Sequence, residues 1–109
     1  MAAGMRAPEP GDRWLLRSGS ERVGTLQLSE IDQPWFRCEF TPADSWKDFR
    51  PIFERLSAAV DRGSDAEVAE AFKEFRDLKL RLIAATQEGL NIDPVILQIR
   101  EEKVALFRY

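Results

Sequence analysis

The sequence predicts an α+β fold, a single antiparallel sheet of about five strands with a helical hairpin packed on one face. Three observations carry that expectation. Short runs that alternate apolar and polar residues occupy both ends of the chain. The middle recurs at three- and four-residue spacing instead. The strand-like and helix-like stretches are segregated rather than interleaved, giving the order β-β-β-α-α-β-β. With 109 residues the chain has the size of one domain and can bury a core without metal or disulfide support.

Residues 1–12 contain Ala, Gly, Pro and charge and are expected to be a disordered tail, with Met5 as an alternative start and 13–109 as the domain. From Arg13 on, "RWLLR" and "VGTLQL" flank "SGSE", a connection of hairpin length. Alternation puts Trp14 and Leu16 on one face of the first strand, and Gly24, Leu26 and Leu28 on one face of the second. "SEIDQP" reads as punctuation, with Pro34 opening the third strand. There Phe36, Cys38 and Phe40 share the face expected to meet the core, while Trp35, Arg37 and Glu39 share the other.

Helical spacing begins at "TPADSWKDFRPIFERLSAAVDRG", where Trp46, Phe49, Phe53, Leu56 and Val60 form one apolar stripe. Ser45 and Asp48 resemble a capping box, and Pro51 predicts a short first turn or a kink. Gly63 closes this helix. "SDAE" then opens a second one, with Ser64 as cap and Glu67 three residues on. Its stripe is Val68, Phe72, Phe75, Leu78 and Leu82, so the helix is expected to reach about Thr86 and stop at Gly89. "VILQIR" and "KVALFRY" form the last two strands, joined by a tight turn at Glu101–Glu102, although neither glutamate favours positive φ. Tyr109 is expected to be ordered at the end of the last strand.

The chemistry is mostly defined by what is missing. The chain has no histidine, which removes the usual general base, the commonest metal ligand and the usual partner of a serine or cysteine nucleophile. No phosphate-binding glycine motif or nucleophile elbow occurs, and no cofactor or metal is expected. The single cysteine cannot form an internal disulfide, and between two phenylalanines it reads as a small buried hydrophobe with an unactivated thiol. The carboxylates fall mainly on solvated helix faces among Lys and Arg, and nothing pairs two of them in a pocket. No secretory leader pattern and no apolar run of transmembrane length is visible, so a reducing cytoplasm is expected and a membrane is not.

Trp14-x-Leu16, Val23-Gly24-x-Leu26, Pro34-Trp35-Phe36 and Phe49-Arg50-Pro51-Ile52-Phe53 together resemble a group of small uncharacterised actinomycete proteins. Those proteins open with a hairpin, continue with a strand containing a "PW" step, and carry a helix around "RP-x-F". The resemblance covers residues 13–56. It implies the same α+β organisation and no established activity.

The expected function is a small non-enzymatic binding module that contacts a protein partner, or its own copy, through the open sheet face. That face carries Arg13, Leu15 and Arg17, then Val23, Thr25 and Gln27, then Trp35, Arg37 and Glu39. Arg13, Arg17, Trp35 and Arg37 are the candidate contact residues, because Trp and Arg are over-represented in binding hot spots. Self-association through an exposed C-terminal strand is a related route, since that strand has no edge-blocking proline. An alternative is a ligand-binding or catalytic domain with a pocket between sheet and helices, lined by Phe36, Cys38 and the helix stripes. Trp46, Ile92 and Pro94 are expected to frame such a cleft. Nucleic-acid binding by the open face is a further alternative, disfavoured by Glu39 and the net charge of −3.

Overall fold

In the computed structural model, which describes residues 7–86, 91–93 and 95–108, eight elements follow in order. They are β1 (Arg13–Ser18), β2 (Glu21–Asp32), β3 (Trp35–Pro42), α1 (Trp46–Arg62), α2 (Asp65–Leu78), β4 (Leu80–Ala84), β5 (Ile96–Arg100) and β6 (Val104–Arg108). The strands form one antiparallel sheet in the order β4-β1-β2-β3-β6-β5, and the helices pack on one of its faces. The class is α+β as expected, with six strands in place of about five.

The additional strand is β4. Leu78 and Leu82 are four residues apart, a spacing that extends the helical stripe. From Leu78, however, "LKLRLIA" alternates with a period of two, and the chain leaves the helix at Lys79, in the left-handed region at φ 52°. The Ser18 hydroxyl donates to the Leu78 carbonyl at 2.6 Å, occupying an acceptor that the ended helix leaves open. Leu80 and Leu82 then face the core from β4, so Leu82 belongs to the sheet and not to α2. Gly89, expected as the helix stop, lies outside the described residues, as do Pro94 and Tyr109.

β1 and β2 join through Gly19 and Ser20, with Gly19 at φ 59°, a conformation that glycine adopts without strain. Two bulges shape β2. The first shifts the register between Leu16↔Gly24 and Arg17↔Arg22, which turns Val23 inward. Val23 was expected on the outer face and is 0% exposed. The second lies between Leu28 and Glu30, where the Ser29 hydroxyl donates to the Arg37 carbonyl at 2.9 Å. β2 therefore continues through "SEID", and Pro34 sits in the two-residue turn, after a cis peptide bond, instead of opening β3. Residues 8–12, placed in the expected tail, lie along β2: Gly11 N–H donates to Leu28 O, and Leu28 N–H to Asp12 O, both at 2.8 Å.

α1 is one helix across Pro51, with no separate first turn. Pro51 and Lys47 are both exposed, so water can reach the carbonyl that the missing N–H leaves free. Ser45 does not form the expected capping box; its hydroxyl donates to the Arg22 carbonyl and pins the helix entrance to β2. Ser64 does cap α2, accepting from Glu67 N–H. The inward stripe of α1 ends on Ala59, leaving Val60 37% exposed.

Aromatic rings connect the two layers. Phe36 stacks on Phe107 at 5.0 Å, and Trp14 meets Phe107 edge-on at 5.2 Å. Phe40, Trp46, Phe53 and Phe75 continue the chain of contacts from β3 into both helices at 4.9, 5.2 and 4.9 Å. Each such pair contributes about 0.5–1.5 kcal/mol beyond the area it buries.

Candidate functional site

On the inner face of β3 the packing is solid. Cys38 is 1% exposed between Leu28 on β2 and Ala105 on β6, and burial pushes its thiol up to about 12. A thiol held that high is protonated at neutral pH and is no nucleophile. Of four grooves among the described residues none is lined by Phe36 or Cys38, whereas two rings of the α2 stripe, Phe72 and Phe75, do line one. Trp46 and Ile92 share none of these grooves, and Pro94, the third residue expected to frame a cleft, lies outside the described residues. Ile92 is buried against β4, and Trp46 borders a hollow of about 140 Å³ where Arg50 already pairs with Glu54 and Glu102 at 2.6 and 2.7 Å. Among the described residues no group of three acidic or cysteine side chains is placed to hold a metal. No helix among them is long and apolar enough to cross a membrane.

The outer face is left open because both helices pack on the inner one. Ladder pairing assigns its rows. Arg13, Gln27, Glu39, Val104 and Arg100 form one row, and Arg37, Leu106 and Gln98 the next. At the end of the sheet Trp35 lies beside Arg108, whose guanidinium carbon is 5.7 Å from the ring centroid. Arg108 in turn pairs with Ile96, an exposed apolar side chain.

The four expected contact residues do share this outer face, but they do not form one cluster. β1 and β3 run in the same direction, with Arg13 level with Glu39. Arg37 and Trp35 lie two and four residues to one side of that row, and Arg17 four residues to the other. Eight residue steps separate Arg17 from Trp35, roughly 25 Å at strand rise. Arg17 is also held locally: its Nη2 donates to the Ser20 carbonyl at 2.7 Å. Arg37 lies 3.7 Å from the Glu30 carboxylate, both largely exposed. Arg13 is exposed and borders a groove of about 480 Å³ with Leu15, Thr25, Gln27, Glu39 and Arg22.

Residues that sequence reasoning did not single out complete both ends. Leu106, Arg108 and Ile96 join Trp35 and Arg37, and only the strand order places β6 and β5 beside β3. At the other end Arg17 stands between Arg22 on β2 and Arg81 on β4, three arginines in one row. The strand containing Arg81 was read as helix, which hid that row.

No protein-family model, curated protein or solved structure matches the chain.

Proposed function

We propose that this protein is a non-enzymatic binding module whose contact surface is the Trp35 end of the outer sheet face. The observation that supports the reading is the patch of Trp35, Arg37, Leu106, Arg108 and Ile96 on a face that the helices leave uncovered. An amphipathic aromatic held by a stacked guanidinium loses little conformational freedom on binding, and Trp and Arg supply much of the energy in protein interfaces. Two arginines beside apolar side chains suit a protein segment that offers carboxylates next to apolar residues. Arg13 extends the same face, whereas Arg17 lies too far from Trp35 to share one small contact. A cytoplasmic setting and a partner protein, or a second copy, belong to this reading.

The test compares wild type with Trp35→Ala and Arg37→Glu. Proteins captured from a lysate are identified, and the chief candidate is purified and titrated against all three. Loss of a buried Trp or Arg anchor weakens affinity by about 2 kcal/mol or more, some thirtyfold. Unchanged affinity in both variants rejects this surface. Retention of a single-stranded oligonucleotide that both substitutions abolish moves the assignment to nucleic acid, and mass that grows with concentration moves it to self-association.

A further inference from the structure

A second concave feature lies where α2 ends, bordered by both edge strands, β4 and β5. Its volume is about 860 Å³, within the range of small-ligand sites. Phe72 and Phe75 of α2, Leu80 of β4, and Val95 and Ile96 at β5 give it apolar walls. Arg76, Lys79 and Arg81 stand around them, and among the described residues of the lining the one carboxylate is that of Asp93.

Cations near a helix C-terminus have an ordinary role in offsetting the helix dipole, and Arg76 and Lys79 fill it. Arg81 does not, because it belongs to β4. It sits directly opposite Arg17 in the ladder, two like charges side by side, an arrangement that costs stability in the absence of an anion. Its Nη2 reaches only the Gly19 carbonyl at 3.3 Å, and its Nε is buried with no hydrogen-bond partner among the described residues. Among those residues Arg76 and Lys79 form no ion pair. The described residues of the lining therefore hold an excess of two positive charges over an apolar floor, in a chain whose net charge is −3.

We propose that this groove binds an amphipathic anion, its carboxylate or phosphate held by Arg76, Lys79 and Arg81 and its acyl or aromatic body lying on Phe72, Val95 and Ile96. Walls of this composition exclude an inorganic anion as the main ligand, because it leaves the apolar surface wet. They equally disfavour a neutral hydrocarbon, which leaves the excess positive charge unanswered. The site is separate from the Trp35 patch except at Ile96, which borders both.

The experiment displaces a dansyl-labelled undecanoate from the full chain with decanoate, decyl phosphate, decanol or inorganic phosphate. Displacement by either decyl anion at concentrations at least tenfold below decanol and inorganic phosphate is the expected result, and the better of the two names the headgroup. Arg76→Gln with Lys79→Gln, both exposed positions, lowers that affinity by about tenfold or more, as loss of charge-assisted bonds requires. Trp35→Ala leaves it unchanged. Equal displacement by decanol and decanoate, no probe binding at millimolar concentration, or full affinity in the double variant overturns the proposal. Far-ultraviolet circular dichroism identifies any misfolded double variant, in which case Ile96→Asp, exposed on the groove wall, must give the same loss.

Discussion

Two residues of the central strands show how closely the inner face is fitted. A Cβ on Gly24 would lie 2.5 Å from the Phe40 ring and 2.7 Å from the Thr41 carbonyl oxygen. The ring can shift a little, although Trp46 packs edge-on against it at 4.9 Å; the backbone oxygen cannot. Gly24→Ala should therefore cost about 1–3 kcal/mol, read as a lower urea midpoint with an unchanged slope; an unaltered midpoint means that the strands are looser than this packing implies. Cys38 makes a different demand. Burial raises its folded pKa to about 12, above the ordinary 9.0 of an exposed thiol, because the site disfavours the thiolate. The sign follows from linkage: below about 9 the thiol is protonated folded or unfolded and its contribution is fully present. As pH rises toward 12 the unfolded chain alone gives up the proton, and stability falls by at most about 1.4 kcal/mol per pH unit. Urea unfolding at pH 7.5 and 10 should show a larger loss for wild type than for Cys38→Ala. Equal losses assign the pH dependence to other groups. The inward orientation of this thiol was legible from simple alternation in "WFRCEF". The inward turn of Val23 was not, because a bulge is a property of the pairing between strands and leaves no mark on the period of either one.

Among the elements, those bounded by strong local chemistry were the ones the sequence disclosed. Ser64 with Glu67 starts α2 where the capping box says, and Gly19 closes the first hairpin. The Glu101–Glu102 turn is less comfortable: both residues have positive φ, 55° and 59°, where a side chain crowds its own backbone. Glu102 is compensated by Arg50 Nη1, 2.7 Å from its carboxylate. Glu101 is exposed, and among the described residues no bond of its side chain offsets the strain. Glu101→Asn should raise stability by about 0.5–1 kcal/mol, since asparagine tolerates this conformation, and the urea midpoint should move up. A fall would show that the glutamate side chain supports the turn. β4 escaped notice because its leucines lie at the spacing that also extends α2, and propensity does not separate the two. What decides is tertiary: β1 offers Leu80–Ala84 a full antiparallel partner, and Lys79 takes the left-handed conformation that frees them to pair. The arginine row and the groove at the end of α2 were hidden by the same ambiguity.

At the scale of the molecule, the sheet has two edges, and the chain's own segments occupy part of both. β6, expected to present an exposed C-terminal edge, is internal between β3 and β5, so that route to self-association is closed. Along the β5 edge, α1 packs against the strand, and the Arg100 guanidinium meets Asp61 at 3.1 and 3.2 Å. Along the β4 edge, residues 91–93 return beside the strand. Leu82 and Ile92 exchange two backbone bonds of 2.9 Å, and the Asn91 side-chain oxygen accepts from Ala84 N–H at 2.7 Å. Open strand edges recruit other chains, and a return segment held by three hydrogen bonds is a short cover that a single substitution can loosen. Asn91→Ala removes one of the three without touching the core. Losing about 1–1.5 kcal/mol of local stability should speed amide exchange at Leu82 and Ala84 by about tenfold, while β2 and β3, in the middle of the sheet, keep their protection. With the cover loosened, sedimentation at rising concentration should show a dimer in the variant before it appears in wild type. If exchange rises but the variant sediments as wild type does, the arginines at Arg81 and Arg17 guard the edge by charge instead of the return segment by occupancy. In that case Arg81→Thr combined with Asn91→Ala should associate where neither single variant does.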